Sequence, residues 1–389
     1  MNSIELRSIL SLGIIFACRM FGIFMILPVL SNHGMIFQGA TTSLIGLAIG
    51  IYGITQSIFQ IPFGLLSDKY GRHTLILVGL ILIVFGSIIS GVSNNIWGVI
   101  LGRAMQGSGA ISSVVMALLT DLICEKNRIK AMAFIGLVFG ITFAVSIIIG
   151  PILATYYGIR SIFWITALLA VISMFLILFI VPHHQKLKKN HDTKIFINAM
   201  KNILNNKLIV YLIFCIFFLH TILISNFIVF PFLIKKMGYS EIDHWKIYFF
   251  SLLCSTFFLI LVFSRYVKKI QNKIKQVLYF FIIILFISEI TLLLCSKNIY
   301  FAYLGIPMFF LGFSALEIML PTYIGKQAPS KYKGTAMGIY TTSQFCGVAF
   351  GGIIGGLLFS NKNAFLVFLF LSIMILVWII FSLKLEKKI

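Results

Sequence analysis

Acidic residues are scarce in this chain of 389 residues, with ten Asp and Glu against 31 Lys and Arg. Charged residues of either sign make up 11% of the sequence, whereas hydrophobic residues make up 60%. Soluble domains carry about 25% charged residues, because their surface faces water. Together with a mean hydropathy of +1.06, this composition excludes a soluble fold and indicates a membrane protein.

Motifs of catalysis and metal binding are missing as well. The sequence contains no nucleotide-binding P-loop, no H-E-x-x-H and no convincing pair of a nucleophile and a base. Its six cysteines are scattered, without a C-x-x-C spacing, which predicts neither disulfides nor a metal site. We therefore expect a protein that is not an enzyme and that uses no cofactor.

Long apolar runs are the main feature of the chain. A membrane-spanning helix needs about 20 mainly apolar residues, and these runs lack the alternation of a membrane β-strand. They lie near 9–31, 43–66, 74–92, 97–120, 131–156, 161–182, 208–233, 246–264, 276–296, 299–323, 335–359 and 363–383. The sequence predicts an all-α membrane protein with twelve transmembrane helices.

One polar stretch divides the twelve runs into two sets of six. We predict an N-terminal half at 1–182, a cytoplasmic linker at 183–207 and a C-terminal half at 208–389. A shift of 205 residues aligns parts of the two halves, for example Gly150-Pro151 with Gly355-Gly356. Such pseudo-symmetric halves are typical of transporters that bind a small molecule between the halves, near the middle of the membrane.

Basic residues are unevenly distributed among the loops. If the N-terminus is cytoplasmic, 23 of the 31 Lys and Arg lie in inside segments, 6 in outside loops and 2 within spans. This positive-inside pattern predicts that both termini are cytoplasmic. The net charge of +21 thus lies mainly in the loops at one membrane surface. This distribution favours anionic membrane lipids as partners and argues against a nucleic-acid partner.

A short polar loop joins the second run to the third. Gly64, Asp68, Gly71 and Arg72 follow the pattern G-x-L-x-D-x-x-G-R, which puts the acid and the arginine one helical turn apart. The glycines permit tight packing and a turn. The loop is either a device that couples helices or a simple charged anchor at the membrane edge.

The fourth and fifth runs each contain a patterned segment. Arg103 and Gln106 lie on one face of the fourth, where a charge within a span indicates function, although Arg103 could instead extend to the interface. The fifth contains Ser146, Gly150 and Pro151, in which small residues allow close helix approach and the proline bends the helix. A purely structural kink is the alternative for this segment.

Few other polar residues lie within the runs. Glu317 is our first candidate for carrying a proton, because a buried carboxyl can exchange one, and a static ion pair with Arg19 or Arg103 is the alternative. His220 could relay protons or be a hydrogen-bonded core residue. Polar side chains at helical spacing give candidates for a substrate cavity: Tyr52, Gln56, Gln106, Tyr340 and Gln344.

The loop after the second run resembles the signature loop of the major facilitator superfamily. The arginine segment of the fourth run resembles the second motif of that family, and Ser146 to Pro151 resembles its antiporter motif, with serine replacing the first glycine. The segments that look like the YajR-type transporters, in the drug:proton antiporter branch, are 19–30, 50–53, 60–68, 101–110 and 333–345.

The resemblance implies roles for the loop and for the whole chain. Asp68 would dock near the start of the eleventh span, at Gly334–Thr335, and Arg72 would pair with Asp121. This cytoplasmic latch would favour the outward-open state. The antiporter motif is found in exporters more than in importers.

We therefore expect a major facilitator fold in the bacterial inner (cytoplasmic) membrane, acting as a monomer. It would use protons to export small amphipathic molecules by alternating access, with Glu317 as the proton carrier and Arg103 or Arg19 competing for its carboxylate. The alternatives are a metabolite importer or facilitator of the same fold and a membrane receptor that transports nothing.

Overall fold

The computed structural model describes residues 2–182, 200–272, 274–329 and 333–386, and this part of the chain is helical with one isolated β-bridge. The first half contains α1 (Ser3–His33), α2 (Thr42–Tyr70), α3 (Arg72–Val92), α4 (Ile96–Ser108), α5 (Ser112–Leu122), α6 (Arg128–Tyr157) and α7 (Arg160–Phe175). The second contains α8 (Lys207–Lys236), α9 (His244–Asn272), α10 (Ile274–Leu293), α11 (Ala302–Gln327), α12 (Lys333–Leu358) and α13 (Ala364–Glu386). Most of the predicted linker at 183–207 lies outside the described residues, so the domain boundaries stay a prediction.

Eleven segments of the described chain are long and apolar enough to cross a membrane. The exception is the fourth predicted span, which we expected as one continuous helix at 97–120. It is broken, because α4 ends at Ser108 and α5 begins at Ser112. Gly107, Ser108 and Gly109 have low helix propensity. Gly109 also packs closely on α3, where a Cβ would lie 2.4 Å from the Gly79 carbonyl oxygen.

Successive spans, with α4 and α5 counted together as one, cross the bundle in opposite directions, so their connections fall on two faces. We call the face that holds the N-terminus and the connections at 71 and 123–127 the terminal face. The opposite face, here called the distal face, holds the connections at 34–41, 93–95, 158–159, 237–243, 294–301 and 359–363.

The two halves are in tight contact toward the distal face, mainly through α2 and α12. Glycines line both sides of this contact and form what we call the glycine seam: Gly46, Gly50, Gly53, Gly352 and Gly356. A Cβ on Gly46 would lie 2.4 Å from the Gly352 carbonyl oxygen, and one on Gly53 would lie 2.6 Å from the amide nitrogen of Ala349. Small residues let helix backbones approach this closely in a membrane.

Toward the terminal face the halves diverge. Gln60 of α2 still reaches α12, with its Nε2 donating to Thr341 Oγ1 at 3.3 Å. One to two turns beyond, a Cβ on Gly338 or on Gly334 would meet no atom of the described residues within 4 Å. The same holds for Gly136 on α6. The chain is therefore closed at the distal face and separated toward the terminal face.

Candidate transport and gating sites

The charged loop between α2 and α3 is built around a single arginine. Gly71 ends α2 at a φ of +95°, a left-handed conformation that favours glycine, and Arg72 begins α3. Arg72 Nη2 lies 2.5 Å from Asp68 Oδ1, and its Nε lies 3.2 Å from Asp121 Oδ2 on α5. It also donates to Ser67 Oγ. The structure thus brings together the acid, the arginine and the second acid of the predicted latch within the N-terminal half.

The latch does not reach the C-terminal half in this conformation. We expected Asp68 to dock near Gly334–Thr335, but in the described ranges its ion pair is with Arg72, and no hydrogen bond joins it to α12. The halves are separated at this end of the bundle, which explains the difference. Gly64, also in the motif, makes only an ordinary contact with α5, because a Cβ there would lie 3.8 Å from Ser113 Oγ.

We predict that Asp68→Asn and Arg72→Ala each weaken the outward-open state and slow cycling, with little loss of folded protein. The contact of Asp68 with the start of α12, which the resemblance implies for the outward-open state, would be a partly exposed polar contact worth about 0–1 kcal/mol, so we expect a shift of about two- to fivefold between conformations. Thiol accessibility at the two faces, together with transport rate, measures this shift. Lys69→Gln, an exposed charge change in the same loop, is the control. Unchanged accessibility with normal transport would remove the latch role.

Arg19 is the centre of a polar network inside the N-terminal half. Its Nη2 donates to Gln56 Oε1 at 2.7 Å and to the Tyr52 hydroxyl at 3.1 Å, and its Nη1 donates to Ser112 Oγ. Gln56 Nε2 then donates to Gln60 Oε1 at 2.6 Å. The spacing of the polar residues on α2 by one helical turn places all three of these side chains along one line toward α12.

Arg103 lies beside this network and does not extend to the membrane interface. It is 2% exposed, with Nε donating to the Ala48 carbonyl at 3.3 Å and Nη1 donating to Gln106 Oε1 at 2.8 Å. Its guanidinium lies 4.5 Å from the centre of the Tyr52 ring, close enough for a cation–π interaction. Gln106 in turn donates to Ser87 Oγ at 2.8 Å, so Arg103 is held by α2, α3 and α4.

Glu317 and His220 face each other in the C-terminal half. Glu317 Oε2 on α11 lies 3.9 Å from His220 Nε2 on α8, and that nitrogen lies 2.8 Å from Gln344 Nε2 on α12. Glu317 Oε2, His220 Nδ1 and the nearby Tyr340 hydroxyl are buried with no hydrogen-bond partner among the described residues. The side chain of Glu317 is 17% exposed, which leaves the carboxyl a path for exchange.

The expected competition of Arg19 or Arg103 for Glu317 is not present in this conformation. Both guanidinium groups are held by side chains of their own half, and the described partner of Glu317 is His220. A connection between the two polar groups does exist along α12. Gln60 of the Arg19 network donates to Thr341, which lies one turn before Gln344.

Three residues of these networks were not singled out from the sequence. Ser112, Ser87 and Thr341 are hydroxyl residues in apolar runs, where such residues usually bond to their own helix. For Thr341 the available signal was its position three residues before Gln344. For Ser112 and Ser87 the sequence offers no comparable signal.

The antiporter-type segment packs α6 against α1. A Cβ on Gly150 would lie 2.9 Å from the Met25 carbonyl oxygen, so a larger residue would push the two helices apart. Ser146 is buried one turn earlier, and Pro151 lies inside α6 without ending it. The matching position of the second half, Gly355, packs in the same way on Ser225 of α8.

Aromatic residues line the contact between α6 and the C-terminal half. The ring of Phe143 lies 5.7 Å from that of Phe313, 6.4 Å from that of Phe227 and 6.5 Å from that of Phe310. On its other side it meets Phe24 of α1 at 5.0 Å. These rings give the middle of the bundle an apolar wall, next to the His220 ring, which lies 5.9 Å from that of Phe313.

A second buried acid lies away from these groups. Glu289 of α10 is fully buried, and its Oε1 accepts a hydrogen bond of 2.7 Å from Asn226 of α8. It therefore connects two helices of the same half. We predict that Glu289 serves helix packing more than transport.

Comparison with known proteins places the chain among membrane transporters. A family model described as Major Facilitator Superfamily matches residues 12–344. The chain is 44% identical over 365 residues to the inner membrane transport protein YajR of Escherichia coli (strain K12), covering 93% of this chain and 80% of that protein. It is 27% identical over 187 residues to the class B tetracycline resistance protein of Escherichia coli, covering 46% of each. A solved D-xylose–proton symporter superposes with a TM-score of 0.76 at 15% identity, covering 98% of this chain and 96% of that one.

Proposed function

The chain belongs to the Major Facilitator Superfamily and is a multi-pass membrane transporter, and from this premise we propose that it exports small amphipathic molecules in exchange for protons. The observation that carries the proposal is the pair of Glu317 and His220, a carboxyl and an imidazole 3.9 Å apart in a largely apolar interior. A charge removed from water costs free energy unless it is paired or neutralised. A carboxyl in such a place can therefore bind and release a proton as its surroundings change.

The proton would act through α12. Glu317 faces His220, which contacts Gln344, and Thr341 one turn away bonds to Gln60 of the other half. Uptake of a proton by Glu317 removes the negative charge beside His220. The change in charge then alters the free energy of the Gln344 contact with His220. Because Thr341 lies on the same helix, its contact with the N-terminal half is altered as well. A transporter needs such a link between the proton site and the contact of its halves.

Efflux is supported by the similarity to a tetracycline resistance protein and by the segment from Ser146 to Pro151. In the conformation described, the halves are closed at the distal face and separated toward the terminal face. If the terminal face is cytoplasmic, substrate would enter from the cytoplasm in this conformation. The phenylalanine wall around Phe143 would contact its apolar part.

We propose that the terminal face is cytoplasmic, since the basic loops lie on that side. We predict that a single cysteine at position 362, replacing Lys362 on the distal face, reacts with an impermeant thiol reagent in intact cells. A single cysteine replacing Lys188, in the linker, is expected to react only after the membrane is opened. Reaction at position 188 from outside would overturn this orientation.

Flux measurements in liposomes test the proposed function. The purified protein is reconstituted into liposomes, which are loaded with a panel of fluorescent amphiphiles. Movement of each amphiphile across the membrane is then measured with and without an imposed pH gradient. We expect gradient-dependent movement of some amphiphiles and none in protein-free liposomes. Equal flux with and without the gradient would exclude proton coupling, and accumulation in the opposite direction would indicate an importer.

A further inference from the structure

The break in the fourth span puts a helix N-terminus inside the membrane. The preceding helix α4 has 13 residues and extends about 20 Å into a hydrocarbon core of about 30 Å, so α5 begins well below the distal surface. No side chain caps this N-terminus. Its first-turn amides, from Ser112 to Val114, also find no backbone acceptor in the described ranges. Unpaired N–H groups and the helix dipole give such an end a partial positive charge.

Arg19 lies directly against this N-terminus. Its guanidinium donates to Ser112 Oγ, the side chain of the first residue of α5. Arg19 is 5% exposed, and its Nε has no hydrogen-bond partner among the residues that the structure describes. Its other partners, Tyr52 and Gln56, are neutral, and within the described part of the chain no carboxylate pairs with it. A cation and a positive helix end thus meet in the bilayer interior without an anion.

This arrangement needs a negative charge to balance it. Removing an arginine from water is unfavourable, and neutral hydrogen bonds offset the lost hydration only in part. A carboxylate, sulfonate or phosphate bound to a guanidinium and to helix N–H groups would make short, charge-assisted hydrogen bonds. Broken transmembrane helices hold anionic groups of substrates at their half-helix N-termini in other transporter folds.

We propose that Arg19 and the N-terminus of α5 bind the anionic group of the transported molecule. The substrate class is therefore amphipathic organic anions, with the anionic group at Arg19 and the apolar part toward the aromatic residues around Phe143. This inference rests on the proposed transport function and specifies its substrate. On binding, the anion takes the guanidinium hydrogen bonds that Gln56 and Tyr52 accept in the conformation described.

Glu317 is the other anionic group that could form an ion pair with Arg19. In this conformation it is held beside His220 in the opposite half. A pairing with Arg19 in a different conformation would leave no site for an external anion. Direct binding of a small anion to the intact protein distinguishes these two partners.

Equilibrium dialysis with matched aromatic probes tests the proposal. The full chain in nanodiscs is dialysed against 1-naphthalenesulfonate and, separately, against 1-naphthylmethylammonium, and binding to protein-free nanodiscs is subtracted. We expect saturable binding of the sulfonate, and at least a tenfold loss of affinity in Arg19→Gln. Arg19→Lys keeps the charge and is expected to retain part of the affinity. Arg160→Gln is the control, because that arginine bonds to Asn94 at the distal face.

The outcomes separate this proposal from the transport function. Dialysis requires no gradient, so binding that depends on Arg19 supports the site even if no proton-driven flux is found. Three results would each overturn it. They are the absence of saturable sulfonate binding, equal binding by folded Arg19→Gln, and a preference for the ammonium probe. Proton-driven flux of neutral or cationic amphiphiles would in that case leave the proposed function standing.

Discussion

Glu317→Gln is expected to abolish transport driven by a pH gradient while leaving exchange of substrate across the membrane partly intact. Glutamine keeps the size and hydrogen-bonding capacity of the side chain but takes up no proton at this site. The carboxyl that we propose as the proton carrier is then missing from its place beside His220, so the imposed gradient no longer drives transport through it. Exchange needs only the movement of the two halves with substrate bound, so it continues.

Paired flux assays in liposomes measure both activities on the same preparation. Glu289→Gln is the matched control, because Glu289 is also a buried carboxyl in the C-terminal half. It accepts its hydrogen bond from Asn226, and the amide oxygen of glutamine can accept that bond as well. Full gradient-driven transport by Glu317→Gln would eliminate this residue as the proton carrier. His220 and Glu289 would then be the next candidates.

A large effect is also expected from Gly46→Val or Gly352→Val in the glycine seam. Both side chains would meet backbone atoms of the facing helix, which have no room to move aside: a Cβ at Gly352 would lie 2.6 Å from the amide nitrogen of Gly50. Overpacking costs about 1–3 kcal/mol. The distal contact should therefore open, the outward-open state should gain about tenfold or more in population, and transport should fall accordingly.

Thiol accessibility from the distal face reports this opening. A single cysteine replacing Phe345 is suitable, because the Phe345 ring lies 6.2 Å from that of Tyr52 across the contact of the halves. We expect faster labelling of this cysteine in either valine variant. Gly325→Val is the control, since a Cβ on Gly325 would meet no atom within 4 Å. Unchanged labelling in the seam variants would show that the seam does not control access.

The sequence predicted those parts of the structure that depend on local pattern. Long apolar runs become helices because lipid leaves the backbone no other partners. Arg72 does contact Asp121, as the family resemblance implied, whereas the contact of Asp68 with Arg72 was not predicted, although the two residues lie four apart at a helix end. The glycine seam was not predicted, because the sequence shows glycines in α2 and α12 but not that their backbones meet.

Other features depend on packing or on the conformation of the whole chain. The break before Ser112 lies in an apolar run whose small residues could equally continue a helix, and the close approach of Gly109 to α3 decides the outcome. Partners of Glu317 depend on how the halves are arranged. Because acids are scarce within the spans, the sequence indicated that the Glu317 carboxyl has a function. It gave no means of predicting that its partner is His220 and not Arg19 or Arg103.

The glycine seam also bears on leakage. A carrier that uses a proton gradient loses it whenever a file of water molecules connects the two sides of the membrane. Backbones of α2 and α12 approach so closely that a single added carbon at Gly46 would overlap the facing helix, which leaves no width for water. Close contact of the backbones at the distal face would therefore insulate the proposed proton site at Glu317 from the opposite compartment.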